Sequence, residues 1–246
     1  MYQTKFADKL LTERLKNVDT MLDEVVQINA VDSRVEEILR ILDINYPYDG
    51  VCFLTYNEPW QLLFATILSA QCTDNMVNKV TAELYKEFAC LDDFANCDIS
   101  DLEEAVRPTG FYRTKAANLK AAAIKLLEDF SGVLPSDIES LTSLAGVGRK
   151  TANVVRGHIF GIPSIVVDTH VKRVSLRLGI TKEKDPVKIE FELMERLPKE
   201  RWIAYNQQVI SHGRKVCASQ RPKCKVCELE SLCAADNYKM LERRSM

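Results

Sequence analysis

Residues 141–153 read Leu141-Thr-Ser-Leu-Ala-Gly-Val-Gly-Arg-Lys-Thr-Ala-Asn153. A helical segment is predicted to end near Leu144, a Gly146-Val147-Gly148 turn follows, and a second helix is predicted to begin at Arg149. Glycines in such a turn allow positive φ and close backbone approach, which a tight helix-to-helix connection needs. The first N–H groups of the following helix have no intrahelical acceptor, and the helix dipole stands behind them. The turn therefore presents an anion site, of the kind by which a helix-hairpin-helix grips one DNA phosphate. Gly146, Gly148 and Arg149 are its candidate contacts. A bare Gly-x-Gly between helices also occurs in plain turns, so the frame of Leu144 before and Arg-Lys-Thr-Ala after carries the reading.

Outward from this stretch, most of the sequence repeats apolar residues at helical spacing. In the N-terminal head, Leu10, Leu11, Leu15, Val18, Leu22, Val25 and Val26 form one stripe, and Val35, Ile38, Leu39, Ile41 and Leu42 another. Ser100-Asp-Leu-Glu103 and Ser136-Asp-Ile-Glu139 have the form of capping boxes, and Gly110, Gly132 and Gly161 fall where helices should stop. Ile165-Val166-Val167 is strand-like but too short to imply a sheet. With 9 Gly and 8 Pro in 246 residues, turns are too few for an all-β fold. The fold class is all-α.

Hydrophobic residues make up 46% of the chain and charged residues 28%, a globular profile. The longest apolar runs, such as Leu62 to Ala70, stop short of the ~20 residues that span a bilayer, so no membrane association is expected. Met1 to Leu10 lack an apolar core, so no signal peptide is expected. The net charge is −2, and any polyanion partner must be read from local patterning. From Arg107 to Arg177 eleven basic residues stand against five acidic, and Arg201 to Lys225 holds six basic and no acidic residue. The head, Met1 to Gly50, is acidic, and its expected role is an extra amphipathic helix packed on the body. A basic face on a nearly neutral protein suits a polyanion, although plain solvated surface has the same composition.

Lys150 follows the turn directly. The helix it opens is roughly 18 Å long, and the eight steps from Phe160 to Asp168 can span about 26 Å. The chain can thus return and set Asp168 beside Lys150. Asp168 precedes Thr-His-Val-Lys-Arg-Val, which reads as a helix with Asp168 as its N-cap. A free lysine is neutral in only about one molecule in 2,500 at pH 7. A helix N-terminus and neighbouring Arg149 push towards the neutral, nucleophilic amine, while an adjacent carboxylate opposes this. Taken alone, the pair reads as a surface salt bridge.

The eight cysteines divide into two sets. Cys52, Cys72, Cys90 and Cys97 are scattered and read as small buried hydrophobes. Cys217, Cys224, Cys227 and Cys233 crowd into one C-terminal stretch, spaced x6, x2 and x5. Four thiolates in a short loop can hold a [4Fe–4S] cluster or a structural zinc. Zinc sites of four cysteines usually pair two C-x2-C knuckles, and here there is one. Lys215, Arg221, Lys223 and Lys225 interleave with these ligands, where cations favour an anionic cluster and can also reach phosphate.

Together these features resemble the endonuclease III family, the helix-hairpin-helix DNA glycosylases with an iron–sulfur loop. The resemblance runs from about Pro59 to Ala234, through Leu68-Ser-Ala-Gln-Cys-Thr-Asp74, Gly110-Phe-Tyr-Arg-Thr-Lys-Ala116, Leu144-Ala-Gly-Val-Gly-Arg-Lys-Thr-Ala-Asn-Val-Val155, Val167-Asp-Thr-His170 and the four cysteines. It implies that Lys150 attacks the sugar C1′ with Asp168 assisting. It also implies that Gln71 fills the gap left by a flipped base, and that Phe111 wedges into the opposite strand. Arg221 and Lys223 would meet the DNA backbone from a loop that Cys217, Cys224, Cys227 and Cys233 hold through one [4Fe–4S] cluster. Phe111 stands where the family often has Leu, Cys72 where Ala is common, and Ala145 where Pro is common. The adenine-removing branch lacks the lysine nucleophile.

The expected organisation is an N-terminal helical extension over 1–51, a central helical lobe with the hairpin over 52–162, and a cluster lobe over 163–246 that the extension joins. The expected function is a bifunctional DNA glycosylase and abasic-site lyase that removes oxidised pyrimidines from double-stranded DNA in base excision repair. Its partner would be duplex DNA carrying damaged bases or abasic sites. The chain would act as a monomer in the cytoplasm, at the nucleoid of a prokaryotic cell. Two alternatives are compatible with the same residues: a glycosylase for mismatched thymine or uracil, and a non-catalytic iron–sulfur DNA-binding protein.

Overall fold

The computed structural model describes residues 33–235. The stripe from Leu10 to Val26 lies outside the described residues. Eleven helices follow in order, with no strand among the described residues: α1 (33–45), α2 (Pro59–Leu68), α3 (Asp74–Glu87), α4 (Leu91–Asn96), α5 (Ile99–Val106), α6 (Tyr112–Phe130), α7 (Ile138–Thr142), α8 (Arg149–Phe160), α9 (Thr169–Leu178), α10 (Pro186–Arg196) and α11 (Trp202–Lys215). Short 3-10 turns add to these, two of them inside the cysteine-rich loop at Cys224–Val226 and Glu230–Leu232.

Apolar side chains gather into two clusters. The first runs from Leu54 to Val155 and is centred on α2, whose residues Gln61 to Leu68 are all buried. A helix that is apolar all round belongs in a core, and α2 is enclosed by α3, α6 and α8. Pro59 opens it at the position where a missing N–H costs nothing. The second cluster joins Val35, Ile38, Leu39 and Leu42 of α1 to Ile165, α9, α10 and α11. Each such buried side chain contributes about 1.5–3 kcal/mol. Polar contacts dock α1 at both ends. Arg34 donates to Leu232 O at 3.0 Å and to Gly179 O at 3.2 Å, while Asp43 accepts from Arg201 and from Gln208.

Helix starts differ from the sequence reading in two places. The cap of α5 is Asp98, whose carboxylate takes the Ser100 N–H, so Ser100 is already inside the helix. The cap of α7 is Asp137, bonded to Ser140 N, rather than Ser136. An aspartate within reach of two free N–H groups competes well against a neighbouring serine. The scattered cysteines also differ. Cys90 is exposed at the start of α4, and Cys52, Cys72 and Cys97 are half-buried at the rim of the first cluster.

Candidate active site and nucleic-acid interface

The hairpin turn takes the predicted form, with α8 beginning at Arg149 and Gly148 as its N-cap. Its two glycines do different work. Gly146 has φ +75°, and a Cβ there would lie 2.8 Å from the Asn118 amide, so only glycine fits. Gly148 has φ −93°, which any residue can adopt, and nothing of the protein lies within 4 Å of a Cβ placed on it. Of the two properties expected of these glycines, positive φ is used at Gly146 and room for close backbone approach at Gly148. The open space at Gly148, in front of the free N–H groups of α8, is where a ligand oxygen can approach the backbone.

A cavity opens between the end of α2, α8, the extended return to α9, and α11. Lys150, Asp168, Gln71, Asp74, Asn206 and Arg214 are among its lining residues. Lys150 is exposed on the first turn of α8. Asp168 is the N-cap of α9, its carboxylate accepting from Val171 N at 2.7 Å. Two buried asparagines bring the chain back. Asn153 of α8 donates to Ile165 O at 3.1 Å. Asn206 of α11 accepts from Val166 N at 3.1 Å and donates to Ser164 O at 2.9 Å. The strand-like residues 165–167 are thus held by side-chain amides in place of a partner strand. Sequence reading missed both, although a buried amide in mid-helix, where asparagine is disfavoured, is the available signal.

Arg149 is not a free cation. It forks onto Glu190 of α10 at 2.9 and 2.8 Å and lies over the Phe191 ring, and Glu190 also accepts from Asn153. At the turn, the backbone N–H groups that open α8 are therefore the donors not engaged by Glu190. Two others of the eleven basic residues counted from Arg107 to Arg177 are buried: Lys115 is 4% exposed and Arg177 5%. Arg214 pairs with Asp74 at 2.5 Å and covers the Phe53 ring at the cavity wall.

Four non-glycine residues take positive φ among those described: Gln71 (+53°), Phe111 (+49°), Ser131 (+53°) and Arg221 (+48°). Such conformations cost about 1–3 kcal/mol each and gather at functional sites. Three of the four are residues singled out above. Gln71 and Arg221 are exposed, and Phe111, at 66%, holds an aromatic ring in solvent beside Arg107 and Arg113, which flank the next ring, Tyr112.

Cys217, Cys224, Cys227 and Cys233 line one pocket with Arg177 and His212. Arg177 donates to Cys217 Sγ at 3.2 Å, and Cys233 Sγ donates to Arg177 O at 3.2 Å. Among the described residues no three His, Cys, Asp or Glu side chains converge on the site of one metal ion. Lys223 is exposed beside Arg221 on the same loop. No described helix is long and apolar enough to cross a membrane.

Residues 64–199 match the family model described as HhH-GPD superfamily base excision DNA repair protein. Endonuclease III of Synechocystis is 49% identical over 201 residues, covering 81% of this chain and 91% of the relative. A trapped endonuclease III–DNA covalent intermediate superposes with a TM-score of 0.81 at 39% identity, covering 85% of this chain and 98% of that one. A thermostable thymine-DNA glycosylase superposes with a TM-score of 0.76 at 20% identity, a likeness of fold alone.

Proposed function

The chain belongs to the endonuclease III family of helix-hairpin-helix base excision DNA repair proteins, and from that premise we infer that it is a bifunctional DNA glycosylase and abasic-site lyase acting on duplex DNA. Oxidised pyrimidines are the proposed substrates. The observation that carries the reading is the shared cavity of Lys150 and Asp168, each at the start of a helix.

A glycosidic carbon is out of reach inside a stacked duplex, so the damaged nucleotide must be extruded into the cavity. Gly146, Gly148 and the N–H groups that open α8 hold a backbone phosphate, with Arg149 bracing α8 against Glu190. Gln71 occupies the vacated position in the stack and Phe111 enters beside the opposite base. The neutral amine of Lys150 attacks C1′, and the base departs with the electron pair of the glycosidic bond and takes up a proton. The Asp168 carboxylate, held by α9, faces the cationic character that develops at the sugar. Loss of the amine proton and ring opening give a Schiff base to Lys150. Removal of the C2′ proton then expels the 3′ phosphate, which cuts the strand.

We propose that Cys217, Cys224, Cys227 and Cys233 hold a [4Fe–4S] cluster: the four thiols line one pocket, and the buried Arg177 guanidinium donates to the Cys217 sulfur. Held by those four cysteines, the cluster would cross-link the loop. Arg221 and Lys223 then present cations to the DNA backbone. The proposed organisation is a central lobe over 52–162 and a second lobe over 163–246 with the extension 1–51; among the described residues, the two separate apolar clusters and the packing of Val35 to Tyr46 with the second of them support it. A monomer working at the nucleoid in the cytoplasm completes the reading. Borohydride trapping against a panel of duplexes carrying single lesions tests it. A covalent adduct with oxidised pyrimidines supports the assignment, adducts confined to mismatched thymine or uracil would replace the substrate, and no adduct with any duplex would overturn the chemistry.

A further inference from the structure

Lys115 sits near the start of α6 and is 4% exposed, which is rare for a lysine. Its ammonium donates to two backbone carbonyls, Leu68 O at 2.8 Å and Thr109 O at 2.7 Å. Leu68 is the last residue of α2, where Cys72 N turns instead to Ser69 O, so the lysine supplies a donor to a carbonyl the helix leaves behind. Thr109 ends the turn before Gly110-Phe111. The backbone N–H of Lys115 also donates to Phe111 O at 3.1 Å. Leu68 lies three residues before Gln71 and Thr109 two before Phe111, and both of these exposed residues have positive φ. One buried cation thus ties together the bases of two strained loops that are far apart in sequence.

We propose that Lys115 is a positioning residue that holds the Gln71 and Phe111 loops as one unit, so that the two side chains enter the duplex together. The proposal rests on the roles given to Gln71 and Phe111 above. Strain at two αL residues persists only where the surroundings over-determine the backbone. A single ammonium fixed on both carbonyls does this for the pair: a shift of either loop stretches a charge-assisted hydrogen bond of a side chain that is only 4% exposed. Extrusion of a paired base needs both vacancies filled at once, whereas an abasic nucleotide has less stacking to lose.

The test is a double-mutant cycle on single-turnover base excision, with Gln71→Ala and Phe111→Ala measured in the native and the Lys115→Met backgrounds. In the native background the two losses should be non-additive by about tenfold, and in Lys115→Met they should become additive. Lys115→Met alone should slow excision from a paired duplex while leaving cleavage of a preformed abasic site within about threefold. Excision and abasic cleavage falling in step with helical content would reduce Lys115 to a structural residue and overturn the proposal. So would native coupling that survives Lys115→Met. If Lys115→Met does not fold, Lys115→Gln, which keeps amide donors but loses the charge, takes its place under the same criteria. Single Gln71→Ala and Phe111→Ala proteins that excise at the native rate would strike the roles of those residues, and the proposal would fall with them. That result is distinct from clamp failure, in which both single variants are slow and their coupling persists.

Discussion

Lys150 and Asp168 face one cavity from the starts of two successive helices, yet no ion pair joins them. The carboxylate is anchored by its own helix, through Val171 N at 2.7 Å. This separates two jobs that a direct salt bridge would merge. A carboxylate in contact would hold the lysine charged and hydrogen-bonded, while a cap-held carboxylate stays oriented whether or not the amine carries a proton.

Lys150→Gln should abolish borohydride trapping and strand cleavage while binding to lesion duplex persists. Because the side chain is exposed, stability should change by no more than about 0.5 kcal/mol. Trapping at native yield from this variant would remove Lys150 from the mechanism.

Two substitutions at Asp168 separate capping from chemistry. Asparagine caps a helix about as well as aspartate, so Asp168→Asn should keep its stability and lose turnover. Asp168→Ala should lose turnover and about 1 kcal/mol of stability. Denaturant midpoints and single-turnover rates on the same preparations provide the comparison, and a fully active Asp168→Asn would show that charge is not needed there.

At the hairpin, Gly148→Ala should leave stability nearly unchanged, since nothing lies within 4 Å of the new methyl. It should weaken affinity for all duplex sequences alike, because phosphate contacts carry no sequence information. Gly146→Ala should instead cost at least about 1 kcal/mol from positive φ alone, with the Asn118 contact adding to it. A Gly148→Ala protein with altered lesion preference but native general affinity would contradict a phosphate role.

Metal analysis addresses the loop. Protein purified without oxygen should carry about four irons per chain and absorb broadly, as expected for one [4Fe–4S] cluster. Cys224→Ser should release iron and destabilise the loop. Arg221→Glu should keep the iron, bind DNA less well, and retain lysine chemistry at saturating protein. One zinc and no iron per chain would replace the cluster with a zinc loop.

Burial lowers the pKa of His158 and of His170 from the ordinary histidine value. The unfolded chain therefore takes up protons near pH 6.5 that the folded chain still refuses. Stability should be level above that range and fall as pH drops through it, until the folded-state histidines also protonate. Denaturation midpoints measured from pH 8 to 5 should decline on the acid side, and His158→Gln should flatten part of the decline. Midpoints that rise as the solution is acidified through this window would contradict the burial effect.

Much of this protein was legible from local pattern. The helical period, the Gly146-Val147-Gly148 turn with α8 starting at Arg149, and the N-cap role of Asp168 all depend on a few adjacent residues, and the structure has each of them. Cap positions were less secure, because Asp98 and Ser100, or Ser136 and Asp137, compete within the same turn and only the final backbone path selects one.

Partnership across the chain was not legible. Arg149, Lys115 and Arg177 read as members of a basic face, and tertiary packing gave each a partner: Arg149 pairs with Glu190 while still partly exposed, and Lys115 and Arg177 are buried onto two carbonyls and onto the Cys217 sulfur and neighbouring carbonyls. Likewise, chain length showed that Asp168 could return toward Lys150, and the amides of Asn153 and Asn206 hold residues 164–166 on the path by which both line one cavity. Helix starts and turns are set by steric and hydrogen-bond preferences acting over a few residues. The partner of a long charged side chain is set by which groups lose their water when distant helices close on one another, and one-dimensional pattern holds no record of that.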